Sequence, residues 1–120
     1  MRVAVTSQGP TLESRVDTRF GRAPWFIVAD TDTGTMQAVR NEQNASAAQG
    51  AGIQAAQTVV GQGATAVVTG HCGPKAFRVL KAAGVRVYLG VEGTVAEAIE
   101  KLKTGSLTEA TAADVESHWV

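Results

Sequence analysis

The spacing of apolar residues changes character at about Gly50, and this change constrains the fold more than any other feature of the chain. Before it the apolar positions follow the short runs of strands. Arg2 to Gln8 (RVAVTSQ) sets Val3 and Val5 among smaller residues and runs into Gly9-Pro10, a strand with a breaker behind it. Trp25 to Asp30 and Met36 to Arg40 read as a second and third strand. They are joined at Asp32-Thr33-Gly34, where glycine supplies the positive φ that a tight turn needs. After Gly50 strands alternate with helices. Ile53, Ala56, Val59 and Val60 fall on one helical face that stops at Gly61 or Gly63. Ala64 to Thr69 is an apolar strand of the fully buried kind, and Gly73-Pro74 opens a helix with Phe77 and Leu80 on its inner face. Val85 to Leu89 is a fifth strand. Thr94-x-x-Glu97 is a capping box for a last helix carrying Val95, Ala98, Ile99 and Leu102 inward and ending at Gly105.

The order βββαβαβα predicts an α/β fold of three layers, α/β/α. The hairpins turn strand two antiparallel to one and three. Right-handed crossovers then place strands four and five parallel beyond strand one, giving a mixed sheet of order 3-2-1-4-5. Strands one, three, four and five then finish at one edge, where four loops converge: Ser7–Pro24, Asn41–Gly50, Gly70–Gly73 and Gly90–Thr94. The connections reverse direction between strands one and four, and a ligand crevice is expected at such a switch point. The domain is expected to span residues 1–105. Residues 106–120 form a tail packing on the same domain, with Trp119 either against the core or over the cleft.

Several functions lose support at once. At 120 residues there is room for one core only. Eleven basic and eleven acidic side chains cancel, so no basic field exists to draw nucleic acid. No apolar run is long enough for a membrane span, and the N-terminus reads as a strand rather than a leader, so a soluble, cytoplasmic protein is expected. Cys72 is the only cysteine, which excludes an intrachain disulfide and an all-thiolate metal site within one chain.

Gly70-His71-Cys72-Gly73-Pro74 is the most informative stretch, passing from a buried strand to a helix start within a few residues. A helix N-terminus favours an anion, biases a thiol toward thiolate, and here stands next to an imidazole that could bind metal. Gly70 and Gly73 would admit a ligand close to the backbone. The bland alternative is that His71 closes a loop and Cys72 packs as a small apolar residue. In the first loop, Arg15, Arg19 and Arg22 offer guanidinium donors to an oxyanion or a sulfide-rich ligand, or else pair locally with Glu13 and Asp17. Of the three, Arg22 has the least local cover, lying between Gly21 and Ala23.

Other chemistries fail on context. Gly50-Ala51-Gly52-Ile53-Gln54-Ala55 spells G-x-G-x-x-A, but a loop separates it from its strand and no acid stands where a ribose would need one. Its glycines are read instead as a helix start near the cleft. The inner strands carry no carboxylates for a two-metal nuclease, and neither a Ser-His-Asp arrangement nor a phosphate loop is present.

Taken together, RVAVTSQ, Phe20-Gly21-Arg22-Ala23-Pro24, Gly50-Ala51-Gly52-Ile53-Gln54-Ala55-Ala56-Gln57, Gly70-x-x-Gly73-Pro74-Lys75-Ala76-Phe77 and Gly93-Thr94-Val95-x-Glu97-Ala98-Ile99 resemble the dinitrogenase iron–molybdenum cofactor biosynthesis family, from about Met1 to Gly105. The resemblance implies a ribonuclease H-like fold and binding of molybdenum- or iron-containing clusters during assembly or delivery. The MRVAVTSQG opening and the His-Cys pair look nearest to the branch that holds a molybdenum–copper–sulfide cluster without covalent attachment. The expected role is thus a non-catalytic carrier of an anionic metal–sulfur cluster, working with proteins that donate, receive or regulate it. Gln8, Arg15, Arg22, Gly50, Gly52, Gly70, His71, Cys72 and Gly73 are the expected contacts, with His71 and Cys72 as metal ligands. A thiol-dependent enzyme using Cys72, or an interaction module that binds a small anion, remains the alternative.

Overall fold

In strand β1 (Arg2–Ser7) successive side chains leave on opposite faces, and both faces are apolar. Val3 and Val5 face one core with Ile27, while Ala4 faces the other with Phe26 and Val28. A strand like this needs cover on both sides, which forces a layered arrangement. In the computed structural model, which describes residues 1–42 and 50–114, that cover is supplied by helices. The elements are β1, β2 (Trp25–Asp30), β3 (Met36–Arg40), α1 (Ala51–Gly61), β4 (Ala66–Val68), α2 (Pro74–Ala82), β5 (Arg86–Tyr88) and α3 (Val95–Lys103).

The sheet order is β3-β2-β1-β4-β5, as the sequence predicts. β2 pairs antiparallel with β1, from Arg2 opposite Asp30 to Ser7 opposite Trp25, and β4 pairs parallel with β1 from Val3 opposite Ala66 to Val5 opposite Val68. Helices α1 and α2 cover one face through Ala55, Ala56, Val59, Ala76, Phe77 and Leu80. Helix α3 covers the other through Val95, Ala98 and Leu102. This is the three-layer ribonuclease H-like arrangement expected. Each crossover helix runs back against its strand, so α1 and α2 both begin at the edge where the parallel strands end.

The first loop departs from expectation. Residues 9–24 read as a polar loop beside an open crevice, yet the chain turns back into the sheet. Gln8 N–H donates to the Arg15 carbonyl at 2.9 Å and Asp17 N–H to the Thr6 carbonyl at 2.9 Å, so residues 15–17 take the place beside β1 that β4 holds further down. Residues 18–20 then pair with the continuation of β4. His71 N–H donates to the Thr18 carbonyl at 2.7 Å, and Phe20 N–H to the His71 carbonyl at 3.1 Å. The two apolar members of the segment explain the behaviour. Val16 enters the core under α3 and Phe20 the core under α1 and α2, where its ring lies 5.8 Å from that of Phe26. The switch point between β1 and β4 is therefore filled by a wedge of the chain itself.

After α3 the chain returns along the outer edge of β5. Ala110 N–H donates to the Val87 carbonyl at 2.7 Å, and Glu109 faces Tyr88 with its carboxylate 3.1 Å from Lys81 Nζ. Ala110 and Ala113 pack against the α1–α2 core. The expected loop over 41–49 falls largely on residues 43–49, and Trp119 on 115–120, which lie outside the described residues.

Candidate functional site

The stretch from Gly70 to Gly73 leaves β4 between two neighbours. On one side Gly90 N–H donates to the Gly70 carbonyl at 2.8 Å, and on the other the wedge pairs with His71. Glycine is required at position 70, though not for a ligand. A Cβ there would stand 2.7 Å from the backbone and Cβ of Thr18, so the close approach is that of the wedge. The expectation that Gly70 opens room for a guest is corrected on this point.

Arg19 and His71 form an isolated parallel bridge, and residues facing each other in a bridge send their side chains to the same side. Immediately beyond, Arg22 N–H donates to the Arg19 carbonyl at 3.3 Å, closing a turn that leaves the Arg22 side chain exposed. Arg19 lies 3.8 Å from the buried Asp17 carboxylate, and its side chain is 52% exposed. Arg22 makes no ion pair among the described residues. Asn41, at the end of β3, fixes this turn from beneath: its Nδ2 donates to the carbonyls of Ala23 at 2.8 Å and Gly21 at 3.4 Å.

Cys72 does not behave as its position suggested. It is fully buried in the α1–α2 core, with its Sγ–H directed at the Gly73 carbonyl 3.6 Å away. Burial pushes the thiol up from the ordinary 9.0 to about 12, and the Asp114 carboxylate adds to the effect. The expected bias toward thiolate is thus overturned, because desolvation outweighs a helix start that contributes only partial charge. His71, by contrast, is 40% exposed and its Nδ1 lies 2.8 Å from Asp114 Oδ2.

The other expected residues divide into two groups. Gly73 caps α2, with Pro74 opening the helix and no side chain capping it. Gly50 caps α1 at φ 89°, a conformation suited to glycine, and Gly52 is buried in the first turn. With His71 and Arg22 these lie at the one strand-end edge. Gln8 is exposed at the end of β1. Arg15 is drawn the other way: it pairs with Thr94, and its charge acts on the Glu97 carboxyl at the start of α3. That helix start is already satisfied by the chain, for Val95 and Ala96 donate to the carbonyls of Ser14 and Leu12 at 2.9 Å. One contributor was not singled out by the sequence: Asp114 lies in a stretch without periodicity, 43 residues from its partner, whereas Arg19 stands among the three arginines of the first loop.

The family model for the dinitrogenase iron-molybdenum cofactor matches residues 1–105. The chain belongs to that family. Among solved structures, this family member is similar to the apo form of the orange protein from Desulfovibrio gigas, at 41% identity and a TM-score of 0.90, with 95% of this chain and 96% of that one covered. It is also similar to a NifB-like protein from Thermotoga, at 37% identity and a TM-score of 0.80, covering 97% and 98% of the two chains. An uncharacterized protein of Methanocaldococcus jannaschii is 26% identical over 100 residues, 82% of this chain and 85% of that protein. Among the described residues no three His, Cys, Asp or Glu side chains gather as a metal site, and no helix is long and apolar enough to cross a membrane.

Proposed function

We propose that this chain carries an anionic metal–sulfur cluster, held without covalent attachment on the rim outside the wedge, as cargo for assembly or delivery by partner proteins. The observation that carries the reading is the pairing of Arg19 with His71, which sends a cationic side chain and an imidazole off the same side of the sheet, with the Arg22 turn next in the chain and α2 starting at Pro74, three residues beyond His71. The donor set fits a guest of one kind. Among the described residues it offers cations, N–H groups and one imidazole, and the chain has no set of thiolates, so it suits a cluster that brings its own sulfide. A molybdenum–copper–sulfide core of thiomolybdate type meets that description, and an iron–molybdenum precursor is the other guest the family suggests. His71 is the metal ligand in this reading. Cys72, buried and protonated, is a packing residue, which also argues against a thiol enzyme.

Reconstitution with tetrathiomolybdate and cuprous ion tests this directly. Protein passed down a desalting column should keep an intense visible charge-transfer band, with molybdenum and copper eluting alongside it. The double variant Arg19→Ala/Arg22→Ala should lose most of that colour while keeping its fold. A colourless, metal-free eluate from the unaltered protein would sink the proposal, and full retention by the double variant would sink the placement of the site.

A further inference from the structure

Asp114 binds the β4–α2 link at three points, although it lies beyond the stretch matched by the family model. Its Oδ1 accepts from Cys72 N–H at 2.9 Å and its Oδ2 lies 2.8 Å from His71 Nδ1. Its own N–H donates to the Cys72 carbonyl at 3.3 Å. The approach of the tail is itself fixed. Glu109 faces Tyr88 and lies 3.1 Å from Lys81 Nζ, and Ala110 is hydrogen-bonded to Val87, so the carboxylate arrives on a secured segment.

An ionised carboxylate only accepts hydrogen bonds. With Oδ1 engaged by Cys72 N–H, the short contact at Oδ2 requires the proton on His71 Nδ1. We infer that Asp114 is a positioning residue that selects the Nδ1–H tautomer of His71, so that Nε2 is the nitrogen that carries the ring's lone pair. Any contact the ring makes with a metal then runs through Nε2. A carboxylate behind a metal-binding imidazole fixes the ring's orientation and raises its basicity, and losing such a partner typically lowers metal affinity by about 10–100-fold. The inference rests on the carrier reading for its purpose, while its structural content does not depend on any guest.

The experiment is long-range proton–nitrogen NMR of the imidazole rings in metal-free protein, at a pH where the rings are neutral, with a His118→Gln control to separate the two histidines. Unaltered protein should show His71 protonated at Nδ1. In Asp114→Asn the side-chain carbonyl stays on Cys72 N–H, which turns the amide NH2 toward Nδ1, so the proton should move to Nε2. A ring already protonated at Nε2 in the unaltered protein overturns the inference without recourse to any variant. An unchanged tautomer in folded Asp114→Asn overturns it as well. Reconstitution of the same variant with tetrathiomolybdate and cuprous ion should then lower copper retention about tenfold or more. If the unaltered protein shows the expected tautomer but takes up no cluster, the carrier reading fails and the positioning role stands.

Discussion

Cys72 shows how burial overrules a favourable local setting. Its thiol meets the first turn of α2, a place that commonly lowers a cysteine's pKa, yet the side chain is sealed among Phe20, Ala76 and Leu80 and pushed up to about 12. The neutral thiol is therefore the native form. A folded pKa raised above the unfolded 9.0 contributes stability that is complete below pH 9 and is lost as pH climbs toward 12. Folded protein should react with iodoacetamide at pH 8 at least about a hundredfold more slowly than denatured protein, since desolvation removes both thiolate and access. Alkylation at the rate of a free cysteine would contradict the burial. Cys72→Ala should cost about 1 kcal/mol in urea denaturation, on the scale of one buried methylene-sized group, and should leave cluster retention intact. Asp114 is the opposite case at this scale. Nothing around it in the sequence marks it, because its meaning comes from a hydrogen bond spanning 43 positions.

Elements with strong local signals were legible and those made by tertiary contact were not. All five strands and three helices lie where periodicity and breakers put them, since Val3 and Val5, or Val95, Ala98 and Leu102, can be buried only in one way. The capping box was read from four letters and is present in full: Thr94 N–H donates to Glu97 Oε1 at 2.9 Å, and Glu97 N–H to Thr94 Oγ1 at 3.2 Å. The wedge was not legible. Its residues 15–20 alternate charge with two apolar side chains, a pattern shared by ordinary loops, and its hydrogen bonds are made with β1 and with the continuation of β4. For the same reason the sequence names Arg15, Arg19 and Arg22 together, and only the fold separates Arg15, bridged to Thr94, from Arg19, bridged to His71. Thr94→Ala should lower stability by about 1 kcal/mol, read as a shift in the urea midpoint. The bonds from Thr94 hold the Glu97 carboxyl below its ordinary range, so its contribution is present above pH 4.5 and falls away as acid takes the pH through the lower folded value. In Thr94→Ala the acid side of the stability profile should flatten; an unaltered profile would contradict the assignment.

At the scale of the whole molecule the wedge ties the two cores together. Val16 and Phe20 anchor it under α3 and under α1 and α2, and both neighbouring strands accept or donate hydrogen bonds to it. It should therefore open only with the sheet. Amide exchange at Asp17, Phe20 and His71 should be as slow as in β1, close to the limit set by global unfolding. Exchange there at the rate of an exposed loop would show that the segment swings free of the sheet.

A plugged switch point also decides how a passenger would travel. With the wedge filling the space between β1 and β4 among the described residues, cargo on the proposed site would rest on an outer ledge that a second protein could reach while the first still gripped it. On the carrier reading, handover would proceed by direct contact, through a brief three-body encounter, and its pace would follow the abundance of the receiver. A carrier that worked this way would not need to shed its load into water.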